Sequence, residues 1–498
     1  MSARYHGARP VVGLEVFTAV DTPATATGRA IWWAAALPGR EPPVGSTGMR
    51  VLLVSTYELG HQPLNLAAPA AALRAGGHEV RTLDTAVEPW DADLVGWAEA
   101  AAFSVPMHTA MRLALRAAAA ARAARPDLPI CFYGLYANVS QELTLAGLAD
   151  HAVAGEYEAE LVAWVDGLGA APAPTARRAV IDLGRHRPAG PPERAGLPPL
   201  ERYARLAVAG EERVAGYVEA SRGCVHHCRH CPIPVVYDGR LRIVPEDVVL
   251  ADVEAQVAAG ARHITFGDPD FLNGPHHSMR VVAAVHKHWP ELTFDCTVKV
   301  EHILRHEDLW AELADSGCLF VVSAFESVND ATLELLDKGH TAAEAAAAVG
   351  LLRRHGIEIR PSFLPFTPWT TLDDVADLVD FVAALDLVGN VDPVQYTVRL
   401  LVPEGSLLEP VLRDSGALEA YDAQRLTWGW HNPDPAVDEL QTRLAALVEG
   451  AQTAGEPIGR IYRRVRAAVH TAAGRHAAPP DEACTEDGRP RLTEPWFC

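Results

Sequence analysis

Short apolar segments alternate with helix-like segments in two long stretches of the chain, and this alternation limits the fold more than any other feature. The first series covers residues 49–165 and the second covers residues 210–406. A strand, a helix and a second strand in that order form a parallel strand pair with the helix packed across it. We therefore predict an α/β protein with two parallel sheets, each covered by helices.

The two series predict different sheets. In the first, we predict strands at residues 51–55, 79–83, 101–105, 130–133 and 151–154, with helices at 67–75 and 111–124. This order indicates a Rossmann-like, doubly wound domain. In the second, we predict strands at residues 217–220, 263–266, 293–300, 319–325, 358–364 and 395–401. Six strands with intervening helices indicate a partial (β/α)6 barrel.

The remaining segments connect or extend these two domains. We expect a disordered leader at 1–48 and a Pro-rich linker at 166–209, because Pro, Gly and Ala in that density do not sustain a helix or a central strand. After the barrel we expect a small helical extension at 407–480 and a cysteine-containing tail at 481–498.

Composition excludes several classes of function. The formal charge is -21, from 43 Lys+Arg against 64 Asp+Glu. Such a chain repels a phosphate backbone, so we expect no nucleic-acid partner. No apolar run is long enough to cross a bilayer, and eight cysteines are too few for a disulfide framework in this length. We expect a cytoplasmic protein without a membrane partner.

Three cysteines are concentrated in one short segment. Cys224, Cys228 and Cys231 have C-x3-C-x2-C spacing and follow a predicted strand, on a loop at its carboxyl end. Barrels of this type build their active sites from such loops. Three thiolates can bind three irons of a [4Fe-4S] cluster and leave the fourth iron open to another ligand. We interpret the segment as a cluster-binding loop with one open iron.

Two other metal sites fit the same cysteines less well. A zinc site favours paired C-x2-C clips and a fourth ligand, for which His226, His227 and His230 are available, but the chain has no second clip. An electron-carrier cluster needs a fourth nearby cysteine, and the next one, Cys296, lies within a predicted strand. A non-catalytic iron-sulfur or zinc-binding protein remains the alternative from a different class.

The segment SRGCVHHCRHCP at 221–232 closely resembles the cluster motif of the radical SAM superfamily. In that family, the amine and carboxylate of S-adenosylmethionine (SAM) fill the open iron site, and one electron from the cluster breaks the sulfonium bond to give a 5'-deoxyadenosyl radical. The resemblance implies a small-molecule substrate and an electron donor of the flavodoxin or ferredoxin type. The cofactor supplies the chemistry, and the protein orients and shields it.

The resemblance extends over about residues 49–406 and implies further SAM contacts at the carboxyl ends of strands. Gly267 and Asp268 are the candidates for holding the SAM amine. Glu301, Ser323 and Glu326 are candidates for ribose or methionine contacts, and each carboxylate also fits an ion-paired residue on the barrel rim. Arg399 is a candidate clamp for the SAM carboxylate, and it also fits a role in neutralising glutamates.

The N-terminal series resembles the cobalamin-binding domain of one radical SAM subclass, including Gly155-Glu-Tyr-Glu158 after its last strand. However, the usual Asp-x-His-x-x-Gly motif is replaced by STYELGHQP at 55–63. His61 lies on the corresponding loop without the aspartate that would orient its ring. Either cobalamin binds without a protein ligand, or the domain has lost cobalamin and only closes the barrel; the missing motif favours the second interpretation.

The C-terminal segment carries Cys484 and ends at Cys498. It resembles the CUAEP/CCAEP-tail family of radical SAM proteins, which leads us to expect both thiols near the barrel mouth as candidate catalytic residues. The same resemblance suggests a UGA selenocysteine codon directly after Cys498. RCCLKC-tail relatives, of the arsinothricin type, move the 3-amino-3-carboxypropyl group of SAM onto trivalent arsenic. An incidental cysteine at a frayed terminus is the simpler alternative.

These observations predict a radical SAM transferase that forms a carbon-carbon or carbon-heteroatom bond on a small substrate. Aminocarboxypropyl transfer to a thiophilic element such as arsenic is one version, because soft thiolates bind such elements. Cobalamin-dependent methyl transfer is the alternative. A methylthiotransferase acting on RNA or protein is disfavoured, since the chain is acidic and has no second cysteine triplet.

Overall fold

The computed structural model describes residues 48–139, 141–169, 178–186, 188–476 and 488–494. The leader up to residue 47 and the two tail cysteines, Cys484 and Cys498, lie outside the described residues. None of the described helices combines the length and the apolar character that a bilayer crossing requires.

The N-terminal domain is a doubly wound parallel sheet. Its strands are β1 (Arg50–Ser55), β2 (Glu79–Asp84), β3 (Ala100–Ser104), β4 (Ile130–Tyr133), β5 (His151–Gly155) and β6 (Arg178–Asp182), in the spatial order β2-β1-β3-β4-β5-β6. Its helices are α1 (Leu64–Ala75), α2 (Ala92–Trp97), α3 (His108–Ala124), α4 (Gln141–Gly147) and α5 (Tyr157–Gly169). The central strands are buried along their length because helices cover both faces, which explains their continuous apolar sequences.

The strand β6 was not predicted. It lies in the segment that the sequence indicates as a linker, and it pairs in parallel with β5 as the edge strand of the sheet. An edge position suits this segment, since a strand with one neighbour tolerates the Pro-rich chain around it. The remainder of the segment is tied to the barrel by Arg194, whose guanidinium binds the Asp252 carboxylate at 2.6 Å in a buried ion pair.

The second domain is an open, curled barrel sheet. Its strands are β7 (Arg205–Val208), β8 (Glu211–Val218), β9 (Ser221–Arg222), β10 (Arg242–Ile243), β11 (His263–Phe266), β12 (Thr293–Thr297), β13 (Cys318–Glu326) and β14 (Glu358–Phe363). Its helices are α6 (Ile233–Tyr237), α7 (Glu246–Ala258), α8 (Pro275–His288), α9 (Val300–Arg305), α10 (Trp310–Asp315), α11 (Asp330–Leu335), α12 (Ala342–Arg354) and α13 (Leu372–Ala384). The strands β8, β11, β12, β13 and β14 pair in parallel, with β7 added antiparallel at one edge.

The predicted sixth barrel strand is wrong. Residues Pro393–Thr397 form a 3-10 helix, and only an isolated bridge between Phe366 and Arg399 continues the parallel order. Gln395 takes the place of a strand neighbour here, because its side-chain Oε1 accepts a hydrogen bond from the Phe363 amide of β14 at 3.0 Å. One amide at the open edge of β14 is therefore satisfied by a side chain.

The C-terminal part contains the predicted helices together with an antiparallel hairpin that the sequence did not indicate. Its elements are α14 (Glu409–Asp414), β15 (Leu418–Asp422), β16 (Thr427–Trp430), α15 (Pro435–Thr453), α16 (Ile458–Ala472) and β17 (Arg491–Leu492). The short strand β17 pairs antiparallel with β7, so the C-terminal segment returns to the barrel sheet.

Candidate functional site

The cysteine segment forms a closed loop at the carboxyl end of β8. The short strands β9 and β10 pair antiparallel, and residues 223–241 lie between them. Gly223 begins this loop with φ of +75°, and a Cβ at this position would lie 2.2 Å from the carbonyl oxygen of Arg240. Only glycine fits this backbone conformation and this close approach. The residue before Cys224 therefore sets the path of the loop. We refer to residues 223–241 as the cluster loop.

The three thiols lie together in the cluster loop. Cys224 and Cys228 are buried and Cys231 is half-buried, and all three are free. Burial, with a smaller contribution from the neighbouring Cys228 and Cys224, raises the pKa of Cys231 to about 12. Burial also raises the pKa of Cys224. Thiols in this setting become thiolates when a cation binds them, and an iron-sulfur cluster supplies that positive charge. The donor set therefore fits a [4Fe-4S] cluster held at three corners.

A buried ion pair supports the cluster loop from the barrel. Glu326, at the end of β13, accepts a hydrogen bond from Lys338 at 3.3 Å and lies 3.0 Å from His230 Nε2 of the loop. Burial alone would raise the pKa of Glu326, but Lys338 and His230 outweigh it and hold the pKa at about 2. Lys338 is close enough to Cys228 and Cys231 for their charges to raise its own pKa. The cationic Lys338 thus faces the cysteines.

Glu326 was predicted as a SAM contact, and the structure places it beside the cluster loop. Its backbone has φ of +62°, which is unusual for a residue with a side chain. The pairing of β13 with β14 shifts register at this point, and the Glu326 carbonyl accepts the Leu364 amide at 2.8 Å. The bulge turns the carboxylate toward His230 and Lys338.

Asp268 and Gly267 lie at the end of β11, as predicted, and their contacts connect β11 to the cluster loop. The Asp268 carboxylate is fully buried and accepts hydrogen bonds from the Ala220 amide at 2.9 Å and from the Ser221 hydroxyl at 2.5 Å. Burial raises the pKa of Asp268 to about 7. A Cβ at Gly267 would overlap the Tyr217 ring, so this position needs glycine. Both residues position the segment that leads into the cysteines.

Glu301, on α9, lies beside the part of the cluster loop that carries His226. Its carboxylate pairs with Arg305 one turn later, and Oε2 lies 3.7 Å from Lys299 Nζ and 3.8 Å from His226 Nδ1. It is half-buried, so it borders the site in the manner of the ion-paired rim residue that the sequence also suggested. SAM contact by Glu301 remains a prediction.

Ser323 lies on β13, three residues before Glu326 and just ahead of the register shift between Ala324 and Glu326. The Ser323 side chain is completely buried, and its hydroxyl has no hydrogen-bond partner among the described residues. SAM contact by Ser323 remains a prediction.

Arg399 binds Asp438 and Trp430, away from the cluster loop. Its guanidinium binds the Asp438 carboxylate at 2.5 Å and lies 3.5 Å over the Trp430 ring. It lines a surface groove of about 550 Å³ together with His108 and Trp428, and no cluster-loop residue lines that groove. The structure thus favours the alternative prediction, in which Arg399 neutralises a carboxylate, over a clamp for SAM.

A charged network joins the cluster loop to the N-terminal domain, and the sequence did not indicate it. Arg222, two residues before Cys224, donates to the Glu158 carboxylate at 2.7 Å and to Glu219 at 2.8 Å. Glu156 binds His186 Nδ1 at 2.5 Å and accepts from the Tyr237 hydroxyl at 3.1 Å. The Glu-Tyr-Glu segment after β5 was noted only as a family resemblance, and its function here is to hold the cluster loop.

The loop between β1 and α1 replaces the missing cobalt-ligand motif. Burial raises the pKa of Glu58 to about 8, and its carboxylate accepts from Asn65 at 3.1 Å. Burial lowers the pKa of His61 to about 4, and its ring lies 4.6 Å from the Tyr217 ring of the barrel. Because His61 packs against the barrel, it does not project freely from the sheet as a cobalt ligand would. His61 would therefore not supply a cobalt ligand to a bound cobalamin.

A cavity of about 180 Å³ opens beside the cluster loop. It is lined by Cys231 and His230 of the loop, by Leu135 and Val139 of the N-terminal domain, and by Glu404 after the barrel. A small ligand in this cavity would contact the side of the loop that carries Cys231. The C-terminal segment also reaches the domain boundary, since the Tyr57 hydroxyl donates to Glu494 at 3.2 Å.

Comparisons with known proteins agree with this architecture. A family model described as the Radical SAM superfamily matches residues 218–382, and one described as the B12 binding domain matches residues 50–165. A tRNA-2-methylthio-N(6)-dimethylallyladenosine synthase of Pseudoalteromonas atlantica is 26% identical over 205 residues, which cover 38% of this chain and 42% of that protein. A bacteriochlorophyllide d C-8(2)-methyltransferase of Chlorobaculum tepidum is 26% identical over 212 residues, covering 39% and 45%. The matched regions span less than half the length of these relatives.

Solved structures show the same fold. The cobalamin-dependent S-adenosylmethionine radical enzyme OxsB with aqua-cobalamin bound has a TM-score of 0.61 at 14% identity, covering 81% of this chain and 67% of that chain. The radical S-adenosylmethionine methyltransferase TsrM from Kitasatospora setae, with cobalamin and a [4Fe-4S] cluster bound, has a TM-score of 0.53 at 18% identity, covering 68% and 74%. At these identities the likeness concerns the arrangement of the domains.

Proposed function

Because this chain is a radical SAM protein with an N-terminal B12-binding domain, we propose that it cleaves SAM reductively and transfers a SAM-derived carbon group to a small molecule. The observation that carries the proposal is the thiol arrangement of the cluster loop. Cys224, Cys228 and Cys231 lie within eight residues, and the next cysteines, Cys296 and Cys318, are buried in neighbouring barrel strands. Three ligands leave one iron open for the amine and carboxylate of SAM.

The described residues have separate roles around this site. Lys338 places a buried positive charge near Cys228 and Cys231, which lowers the cost of holding thiolates there. Glu326 keeps Lys338 charged and, through His230, fixes the middle of the loop. Asp268 binds Ala220 and Ser221, which lead into the loop, and so holds that segment to the end of β11. When bound, the cluster supplies the electron that breaks the sulfonium bond; the protein positions the loop and limits the access of water.

Methyl transfer is the version that the comparisons favour. A methyltransferase is among the curated relatives and another is among the solved structures, and the B12 binding domain model matches residues 50–165 of this chain. When bound, cobalamin would supply the methyl-carrying chemistry. In this chain the cofactor would bind without a cobalt ligand from His61, which packs against Tyr217.

Aminocarboxypropyl transfer to a thiophilic element is the second candidate. It depends on the tail thiols Cys484 and Cys498, which lie outside the described residues, and on the likeness to arsenic-directed relatives. The segment before Cys498 reaches the loop between β1 and α1, where Gly60 packs against Glu494. The described C-terminal segment thus approaches the loop between β1 and α1, and a role for the tail thiols in capturing such an element is part of this second candidate.

Product analysis tests these proposals. Anaerobically reconstituted protein, reduced by dithionite or by a flavodoxin system, is incubated with SAM, with and without hydroxocobalamin. We expect 5'-deoxyadenosine in both cases and S-adenosylhomocysteine only with cobalamin and an acceptor. Methylthioadenosine as the main product would instead support aminocarboxypropyl transfer. The matched controls are Cys228→Ala, which should abolish all products, and Cys318→Ala, which should not.

A further inference from the structure

Three side chains, two buried and one half-buried, converge beside the cluster loop without a well-aligned hydrogen bond at the atoms that face one another. His226 lies in the loop between Cys224 and Cys228, Asp270 follows β11, and His302 lies in α9. Asp270 is completely buried and His302 nearly so, and the His226 side chain is 14% exposed. Three separate segments of the chain therefore meet at this point.

The facing atoms are His226 Nε2, Asp270 Oδ2 and His302 Nδ1. Oδ2 lies 2.8 Å from His302 Nδ1 and 3.6 Å from His226 Nε2, and all three atoms lie within 4.8 Å of one another. None of the three has a partner in hydrogen-bond geometry among the described residues. Ligands about 2.0–2.1 Å from a tetrahedral zinc ion are separated by roughly 3.4 Å. The two measured distances bracket this separation.

The surroundings of these three residues fit a bound cation. The other carboxylate oxygen of Asp270, Oδ1, accepts the Leu272 amide at 3.1 Å, which fixes the carboxylate with Oδ2 directed at the histidines. Asp270 Oδ2 and His302 Nδ1 are within ion-pair distance, but none of the three buried atoms makes a well-aligned hydrogen bond, and a divalent ion would bind all three. The Glu301 carboxylate, 3.8 Å from His226 Nδ1, is placed to orient that ring from behind.

Among the described residues, another group of two carboxylates and a histidine, Glu156, Glu158 and His186, already has a cation beside it. Glu156 and Glu158 flank His186, but the Arg222 guanidinium already lies between them, 2.7 Å from Glu158 and 3.9 Å from Glu156. That positive charge satisfies the carboxylates, so a metal ion is not needed there.

We propose that His226, Asp270 and His302 bind one divalent transition-metal ion of the zinc or ferrous iron class, distinct from the iron-sulfur cluster. Two imidazoles and one carboxylate are the ligands that such ions use when a coordination position stays open for water or a substrate atom. The ion would tie the cluster loop to α9 and to the segment after β11. This inference does not depend on SAM cleavage, and its test is separate from the product assay.

The test measures zinc in the full-length protein after the cluster has been reconstituted. The protein is equilibrated with Zn(II), passed through a desalting column, and analysed for iron and zinc by mass spectrometry. We expect about four irons and about one zinc per chain. His302→Ala and His226→Gln should each reduce retained zinc at least about tenfold with iron unchanged. The matched control, His306→Ala, removes a histidine whose ring is 5.6 Å from His302 but which supplies none of the three atoms, and it should keep the zinc.

X-ray absorption at the zinc edge identifies the ligands. Nitrogen and oxygen neighbours at about 2.0–2.1 Å, without sulfur, would support the site, whereas sulfur at about 2.3 Å would show that zinc had entered the cysteine loop and would overturn the proposal. The absence of retained zinc would also overturn it, because zinc binds such ligands more tightly than ferrous iron does. Equal loss in His306→Ala, or unchanged zinc in both His302→Ala and His226→Gln, would have the same consequence. The iron content shows in every case that the variant has folded.

Discussion

Replacing Gly223 by alanine should destroy the cluster loop while leaving the barrel folded. The position has φ of +75°, where an L-residue costs about 1–2 kcal/mol relative to glycine. The added Cβ would lie 2.2 Å from the Arg240 carbonyl oxygen and 2.7 Å from the Tyr237 ring. An ordinary contact is about 3.5 Å, so the loop must move by more than about 1 Å.

The expected cost follows from these two effects. Overpacking against backbone costs about 1–3 kcal/mol, and together with the strain this gives roughly 2–5 kcal/mol. The strands β9 and β10, which close the loop, have two residues each, so they can open before the barrel unfolds. We expect less than half the wild-type iron content after reconstitution and no SAM cleavage, with a nearly unchanged urea midpoint for the barrel.

Gly210→Ala is the matched control. Gly210 also has a left-handed backbone, with φ of +81°, but nothing lies within 4 Å of the added Cβ. This variant should lose about 1–2 kcal/mol of stability and bind iron normally. If Gly223→Ala bound a complete cluster and cleaved SAM at the wild-type rate, the steric argument for the loop would be refuted.

Three further predictions concern buried charges. Burial raises the pKa of Glu58 from 4.5 to about 8. Between these two pH values the folded state keeps a proton that the unfolded chain releases. The free energy of unfolding therefore falls by up to roughly 5 kcal/mol as the pH rises from 4.5 to about 8. Glu58→Gln should therefore raise the melting temperature at pH 8.5 but not at pH 5, and equal effects at both values would contradict the assignment. Lys338→Met leaves the buried Glu326 carboxylate without its lysine partner and should lower the free energy of unfolding in urea by about 3–5 kcal/mol. Adding Glu326→Gln should restore most of the lost stability. If the double variant recovers none, the Lys338–Glu326 pair is not the cause. Arg194→Ala should lower the free energy of unfolding by a similar amount, because it leaves the buried Asp252 carboxylate without its partner. The variant should also make the segment before β7 more sensitive to limited proteolysis. Unchanged cleavage would show that the ion pair does not anchor that segment.

The sequence located most strands because each carries its own apolar pattern. The strands β4 and β11 have the predicted bounds, Ile130–Tyr133 and His263–Phe266. The edge strand β6 was missed, since Pro-rich flanks hide its short apolar pattern. The sixth barrel strand was predicted wrongly because residues 395–401 are apolar enough for a strand, whereas the Gln395 side chain takes over its hydrogen bond to β14.

The candidate site was predictable only where its residues are close in sequence. The spacing of the three cysteines lies within one loop and needs no tertiary structure to be recognised. In contrast, Lys338 pairs with Glu326 from twelve residues away, and Arg222 binds Glu158 across sixty-four residues. Such partners depend on how the domains pack.

The most direct test of the open-iron account is electron-nuclear double resonance on the reduced cluster with isotopically labelled SAM. Nitrogen-15 in the amine and oxygen-17 in the carboxylate of SAM should both show hyperfine coupling to the cluster, because Cys224, Cys228 and Cys231 leave one iron free for these groups. A fully loaded, reduced cluster that shows no coupling to either label would contradict the account.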